Sequence, residues 1–235
     1  MFHPTMGRRA LGLGLVVTLA VLALSACGGG GSAQDQARAQ EEAKARPLPE
    51  DPQALRPGEY HTVKFEPSFS FRVGKGWLNT EPQLPDFIEV GQPGEGGGIR
   101  FANVKEVYKP GTLKVVKAPR DLVGWFQDHP LLQTSKPEPV TVGGVKGEQF
   151  EVVVKDLPKG SHGECGLECV DVFSLSGGEQ STYFLEREDR ERRVIVLENV
   201  KGETVVIVPS SPPEKFDEFA PEAEMVLESV EWGSS

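Results

Sequence analysis

Cysteine, histidine and long apolar runs are all scarce in this chain, and each scarcity removes a class of function. Among 235 residues there are three cysteines and four histidines. A zinc centre wants closely spaced His, Cys or carboxylate ligands, and no His-Glu-x-x-His helix occurs. No Gly-x-Ser-x-Gly elbow presents a serine nucleophile either. The glycine-rich stretch Gly91–Gly98 lacks the Lys-Ser/Thr that would complete a phosphate cradle, and Glu95 within it repels phosphate. Basic residues are the minority: 25 Lys and Arg stand against 35 Asp and Glu, a formal net charge of −10. That balance argues against nucleic acid or an anionic lipid surface as the main partner. The one uncharged apolar run, Ala10 to Leu24, reads on through Ser25 and Ala26 at the lower limit of the roughly 17–25 residues that cross a bilayer. Gly12 and Gly14 dilute it.

What is present begins with that run. Arg8 and Arg9 before it and small residues after it form the positive region, apolar region and processing site of a secretory signal. Leu24-Ser25-Ala26-Cys27 resembles the lipobox of bacterial lipoproteins. The resemblance implies a diacylglyceryl thioether on Cys27, cleavage before it, and acylation of the new amino terminus. Two or three acyl chains anchor stably where one does not. A plain signal that leaves Cys27 a free thiol, or an uncut anchor, is the alternative. The expected location is the extracytoplasmic face of a bacterial cell envelope. Loss of 1–26 removes Arg8 and Arg9 and no acidic residue, so the mature charge becomes −12.

Residues 27–57 read as the lipidated cysteine and a flexible tether. Gly28 to Ser32 is Gly-Gly-Gly-Gly-Ser, a coil by composition. Ala33 to Arg46 has no large apolar residue and so no face to bury. Pro47, Pro49, Pro52 and Pro57 then oppose regular structure. One domain is expected over 58–235, long enough to bury about 70% of its extended-chain surface.

Within it, alternation predicts strands over Tyr60–Phe65, Phe69–Val73, Ile88–Val90, Ile99–Val104, Val170–Leu175, Thr182–Leu185, Arg193–Leu197 and Thr204–Val208. Gly143-Gly144 suits a two-residue hairpin turn between Val140–Val142 and Val145–Val154. Pro119 to His129 predicts a helix of about ten residues, opened near Asp121 and ended by Pro130. His129 at its end would complement the helix dipole as a cation. An acidic helical segment follows Pro212-Pro213, divided or kinked at Pro221, and Ser229–Trp232 closes the chain as a strand. The fold class is α+β: a largely antiparallel sheet with one mid-chain and one C-terminal helix packed on it. Phe69-Ser70-Phe71, Gly76-Trp77, Val142-Gly143-Gly144-Val145 and the closing Ser229-Val230-Glu231-Trp232 resemble the PsbP-like fold, and also uncharacterised lipoproteins of high-GC bacteria. The resemblance implies an antiparallel sheet flanked by helices and a non-catalytic binding role. It carries no ligand residue onto this chain.

Three sets of residues are candidates for function. Cys165 and Cys169 form an even pair in an exported chain and are expected to join in a disulfide. With His162 they could instead hold a metal, Glu164, Glu168 or Asp171 supplying a fourth ligand. Lys105, Lys109, Lys114, Lys117 and Arg120 cluster with Glu106 as the one acidic residue among them, a contact patch for an acidic partner or an ordinary solvated face. No catalytic residue stands out and no cofactor is expected. The reading is therefore a lipid-anchored binding or assembly module for another envelope protein. The alternatives are an envelope hydrolase of cell-wall or glycan material, and a small-molecule or ion carrier.

Overall fold

The computed structural model describes residues 45–94, 96–155, 157, 169–176, 182–186 and 191–233, the side chains of 184, 186 and 191 apart. Among the described residues seventeen strands and two helices follow in chain order: β1 (Arg46–Pro47), β2 (Gln53–Ala54), β3 (Gly58–His61), β4 (Phe69–Val73), β5 (Leu78–Asn79), β6 (Phe87–Gly91), β7 (Gly98–Asn103), β8 (Glu106–Tyr108), β9 (Val115–Lys117), α1 (Leu122–Gln127), β10 (Leu132–Thr134), β11 (Glu138–Val142), β12 (Val145–Val154), β13 (Cys169–Ser174), β14 (Thr182–Glu186), β15 (Glu191–Val200), β16 (Glu203–Ser211), α2 (Pro213–Glu228) and β17 (Glu231–Trp232). The fold is α+β with antiparallel sheets, as the alternation predicts. Only the short β1–β3 pair runs parallel among the described strands.

The organising layer is a sheet in the order β10-β12-β15-β16-β7-β6-β5-β2, with β11 also on β12. Its middle strands each carry an unbroken apolar run: Val194 to Leu197 on β15 and Val205 to Val208 on β16 are all buried. Successive side chains of a strand point to opposite faces, so such runs need cover on both sides. On one side Ile195, Leu197, Val205 and Ile207 meet Phe69 and Phe71 of β4 and Phe219, Val226 and Leu227 of α2. On the other, Val194, Val196, Val206 and Val208 meet Phe126 of α1 and Val172 and Phe173 of β13. The small sheet β1-β3-β4-β17 thus lies with α2 on one face. The small sheet β14-β13-β8-β9 lies with α1 on the other.

Three expectations change. The ordered body begins before residue 58. Leu48 and Leu55 are buried, and the proline-rich strap is held by two short strand pairings, β1 on β3 and β2 on β5, and by side-chain amides between them. Gln83 Nε2 donates to the carbonyls of Leu48 and Pro49 at 2.7 and 2.9 Å, and Asn79 Nδ2 donates to that of Pro49 at 2.9 Å. Proline removes backbone donors but leaves its carbonyl free to accept, which is what these amides use. The mid-chain helix is shorter than expected, six residues, capped by Asp121 accepting from the Gly124 N–H at 2.6 Å. The C-terminal segment is one helix of sixteen residues with Pro221 inside it. Pro221 and Asp217, whose carbonyl loses its helical partner, are both exposed, so water can take the place of the lost hydrogen bond.

Candidate functional site

The stretch from Lys105 to Arg120, for which alternation predicts no strand, folds as the β8–β9 hairpin. Val107 on β8 is buried in the core under α1, and Tyr108 Oη shares a hydrogen bond with Thr182 Oγ1 at 2.7 Å. The turn between the strands is braced by one side chain. Thr112 Oγ1 donates to the Lys109 carbonyl at 2.8 Å and accepts from the Lys114 N–H at 3.2 Å. Gly111 supplies the left-handed residue the turn requires, with φ of 68°.

This hairpin gathers the predicted patch. Lys105 precedes β8, Lys109 and Lys114 flank the turn, Lys117 ends β9, and Arg120 stands just before α1; all five are exposed. Glu106 lies opposite Lys117 in the β8–β9 register. Two apolar side chains are exposed among the cations, Leu113 at 59% and Val116 at 37%. The result is a basic and partly apolar projection on a body of opposite net charge.

A second polar assembly, which sequence reasoning missed, is built into the face under β13 and β14. Glu89 and Arg100 are cross-strand neighbours on β6 and β7. Arg100 Nε donates to Glu89 Oε2 at 2.9 Å and its Nη1 to Ser210 Oγ at 2.9 Å. Burial works against the Arg100 charge, but Glu89 and Tyr183 together outweigh it and its pKa is pushed up. The Arg100 guanidinium also lies 6.0 Å from the ring of Tyr183. That tyrosine is 7% exposed, and its hydroxyl makes no hydrogen bond of normal geometry despite the charge beside it. Burial pushes the phenol up, so it stays protonated. The sequence signal was available: Glu89 and Arg100 are the charged residues in two largely apolar strands. Their joint effect is structural, a satisfied charge pair at the rim of a core.

Cys27, His162 and Cys165 lie outside the described residues. Cys169 heads β13 and is buried. No group of three or more His, Cys, Asp or Glu side chains among the described residues is arranged to hold a metal. His129 is not a charged cap. It lies beyond the end of α1, 1% exposed, with Nδ1 accepting from the Leu131 N–H at 3.3 Å and Nε2 unpartnered. Burial lowers its pKa to about 4, Lys155 adding to the effect, so the ring is neutral near pH 7 and packs on Trp125 at 4.9 Å between centroids. A hollow beneath α2, lined by Phe216, Phe219 and Ala223 among others, has a cavity volume of about 10 Å³, room for a single water. Among the described residues no helix is long and apolar enough to cross a membrane.

No protein-family model matches the chain, and no curated protein matches it. Among solved structures it is similar to the solution structure of cyanobacterial PsbP from Synechocystis sp. PCC 6803, at 13% identity and a TM-score of 0.36, over 89% of this chain and 98% of that one.

Proposed function

We propose that this chain is a lipid-anchored protein of the bacterial cell envelope whose domain binds an acidic envelope partner without catalysing a reaction. The observation that carries the reading is the β8–β9 hairpin. It sets five exposed cations and two exposed apolar side chains on a chain with a net charge of −10. A concentrated patch of the minority sign steers an acidic partner and fixes its orientation. The exposed Leu113 and Val116 add apolar contact in its middle. Acylation of Cys27, the kinship to PsbP-like domains and the Cys165–Cys169 disulfide belong to the same proposal.

The test is crosslinking in intact cells with identification of what is captured. Lys109→Glu, Lys114→Glu and Lys117→Glu together are expected to abolish capture of the main partner, because they reverse the patch without touching buried groups. Unchanged capture would remove the hairpin from the account. Separately, Cys27→Ser is expected to move the protein out of the membrane fraction and to abolish labelling by fatty acid. Retention of either overturns the anchor.

A further inference from the structure

We propose that β9 is an acceptor edge: an extended acidic segment of the partner adds to it as a further strand of the β14-β13-β8-β9 sheet. The proposal rests on the binding reading above and names the element that is recognised. β9 is the end strand of that sheet, and no described strand pairs with its outer side. The Lys109 N–H donates to the Lys114 carbonyl at 2.8 Å and the Ala118 N–H to the Lys105 carbonyl at 2.9 Å. Residues 114 and 118 therefore turn their backbone groups toward β8. In an antiparallel ladder these directions alternate, so Val115 and Lys117 present N–H and C=O outward.

Side chains add the selectivity. Lys114 and Val116 point to one face of β9, Val115 and Lys117 to the other. An incoming strand thus meets a cation on each face with an exposed valine between them. Opposite charges facing each other across a strand pair stabilise it, and like charges oppose it. Lysines on an edge strand also discourage pairing with a second copy, since edge-to-edge docking of two β9 strands brings both sets of cations together. The same lysines do not hinder an acidic strand. Main-chain pairing of this kind gives affinity, and alternate side chains give specificity.

The probe is a fluorescein-labelled octapeptide of alternating Glu and Val, titrated against the full mature chain by anisotropy at low and moderate salt. Two further peptides carry N-methyl groups on alternate amides, one in each register. Binding is expected for the acidic peptide and not for its Lys-Val counterpart. One N-methyl register is expected to weaken it about tenfold or more while the other leaves it unchanged, because only one set of amides faces β9. Val115→Pro, which deletes an outward N–H and keeps every charge, is expected to weaken the unmethylated peptide similarly. An unchanged urea midpoint for that variant excludes unfolding as the cause. If both N-methyl registers bind like the parent peptide, or no acidic peptide binds while the charge-reversed hairpin loses its partner in cells, strand addition is overturned and the binding reading stands. If no acidic peptide binds and the charge-reversed hairpin captures its partner as before, both fail.

Discussion

The indole Nε1 of Trp232 donates to the backbone carbonyl of Val142 at 3.0 Å, joining the last strand to the β11–β12 hairpin across 90 residues of chain. The neighbouring Gly143 has φ of 56°, and a Cβ there would stand 2.6 Å from the indole and 2.9 Å from the Val230 carbonyl. Gly144 also has positive φ, 76°, but open space around it. Gly144→Ala is expected to cost about 1 kcal/mol, from backbone conformation alone. Gly143→Ala should cost about 2–3 kcal/mol, since it also displaces the ring. Equal urea midpoints for the two variants would show that Trp232 does not constrain this turn.

The Glu89–Arg100 pair predicts asymmetric mutants. Both side chains are partly buried, so Glu89→Ala leaves a cation at the rim of the core and is expected to cost about 2 kcal/mol. Arg100→Met in a Glu89→Gln background should cost less than the two single changes added, because no unpaired charge remains. A double-mutant cycle from denaturant melts reads the coupling. A coupling of zero would mean that Ser210 and solvent satisfy the guanidinium without Glu89.

His129 makes stability depend on pH on the acid side. Its pKa is about 4 in the folded chain and about 6.5 in an unfolded one. The unfolded state therefore binds the proton first as pH falls. Stability from this group is complete above about pH 6.5 and declines down to about pH 4, by about 3 kcal/mol in total. His129→Gln should flatten the stability profile across that window relative to wild type. An unaltered slope would show that the buried ring does not set it.

The proposed Cys165–Cys169 bond is checked by intact mass of protein prepared without reductant. Reduction is expected to add two hydrogens. Replacing both cysteines by serine should cost about 2 kcal/mol, as a loop this short restrains the unfolded chain only modestly. A mass that reduction leaves unchanged returns the pair to the free-thiol or metal reading.

Some of this was legible locally and some was not. Gly143-Gly144 names its own turn, because only positive φ suits a two-residue hairpin, and the structure has both residues there. Asp121 names the start of α1 in the same way, its side chain taking the Gly124 N–H. The β8–β9 hairpin did not announce itself. Three-residue strands offer too few alternating positions, and Val116 is exposed where its register partner Val107 is buried. The Pro110-Gly111 turn was the available signal.

Residues 46–57 show the same limit from the other side. Four prolines argue against a sheet. No local pattern reveals that the side-chain amides of Gln83 and Asn79, some 30 residues away, donate to the strap's carbonyls.

Sequence alone determined the β-rich class, the main turns, the acidic balance and the composition of the patch. Each of these is a property of neighbours along the chain or of sums over it. Tertiary structure decided that the patch is a hairpin at the end of a sheet, that His129 is neutral, and that the proline-rich strap belongs to the body. Burial, an open strand edge and a distant hydrogen-bond donor all depend on what packs alongside. That is set by contacts between residues far apart in the chain, which no local pattern encodes.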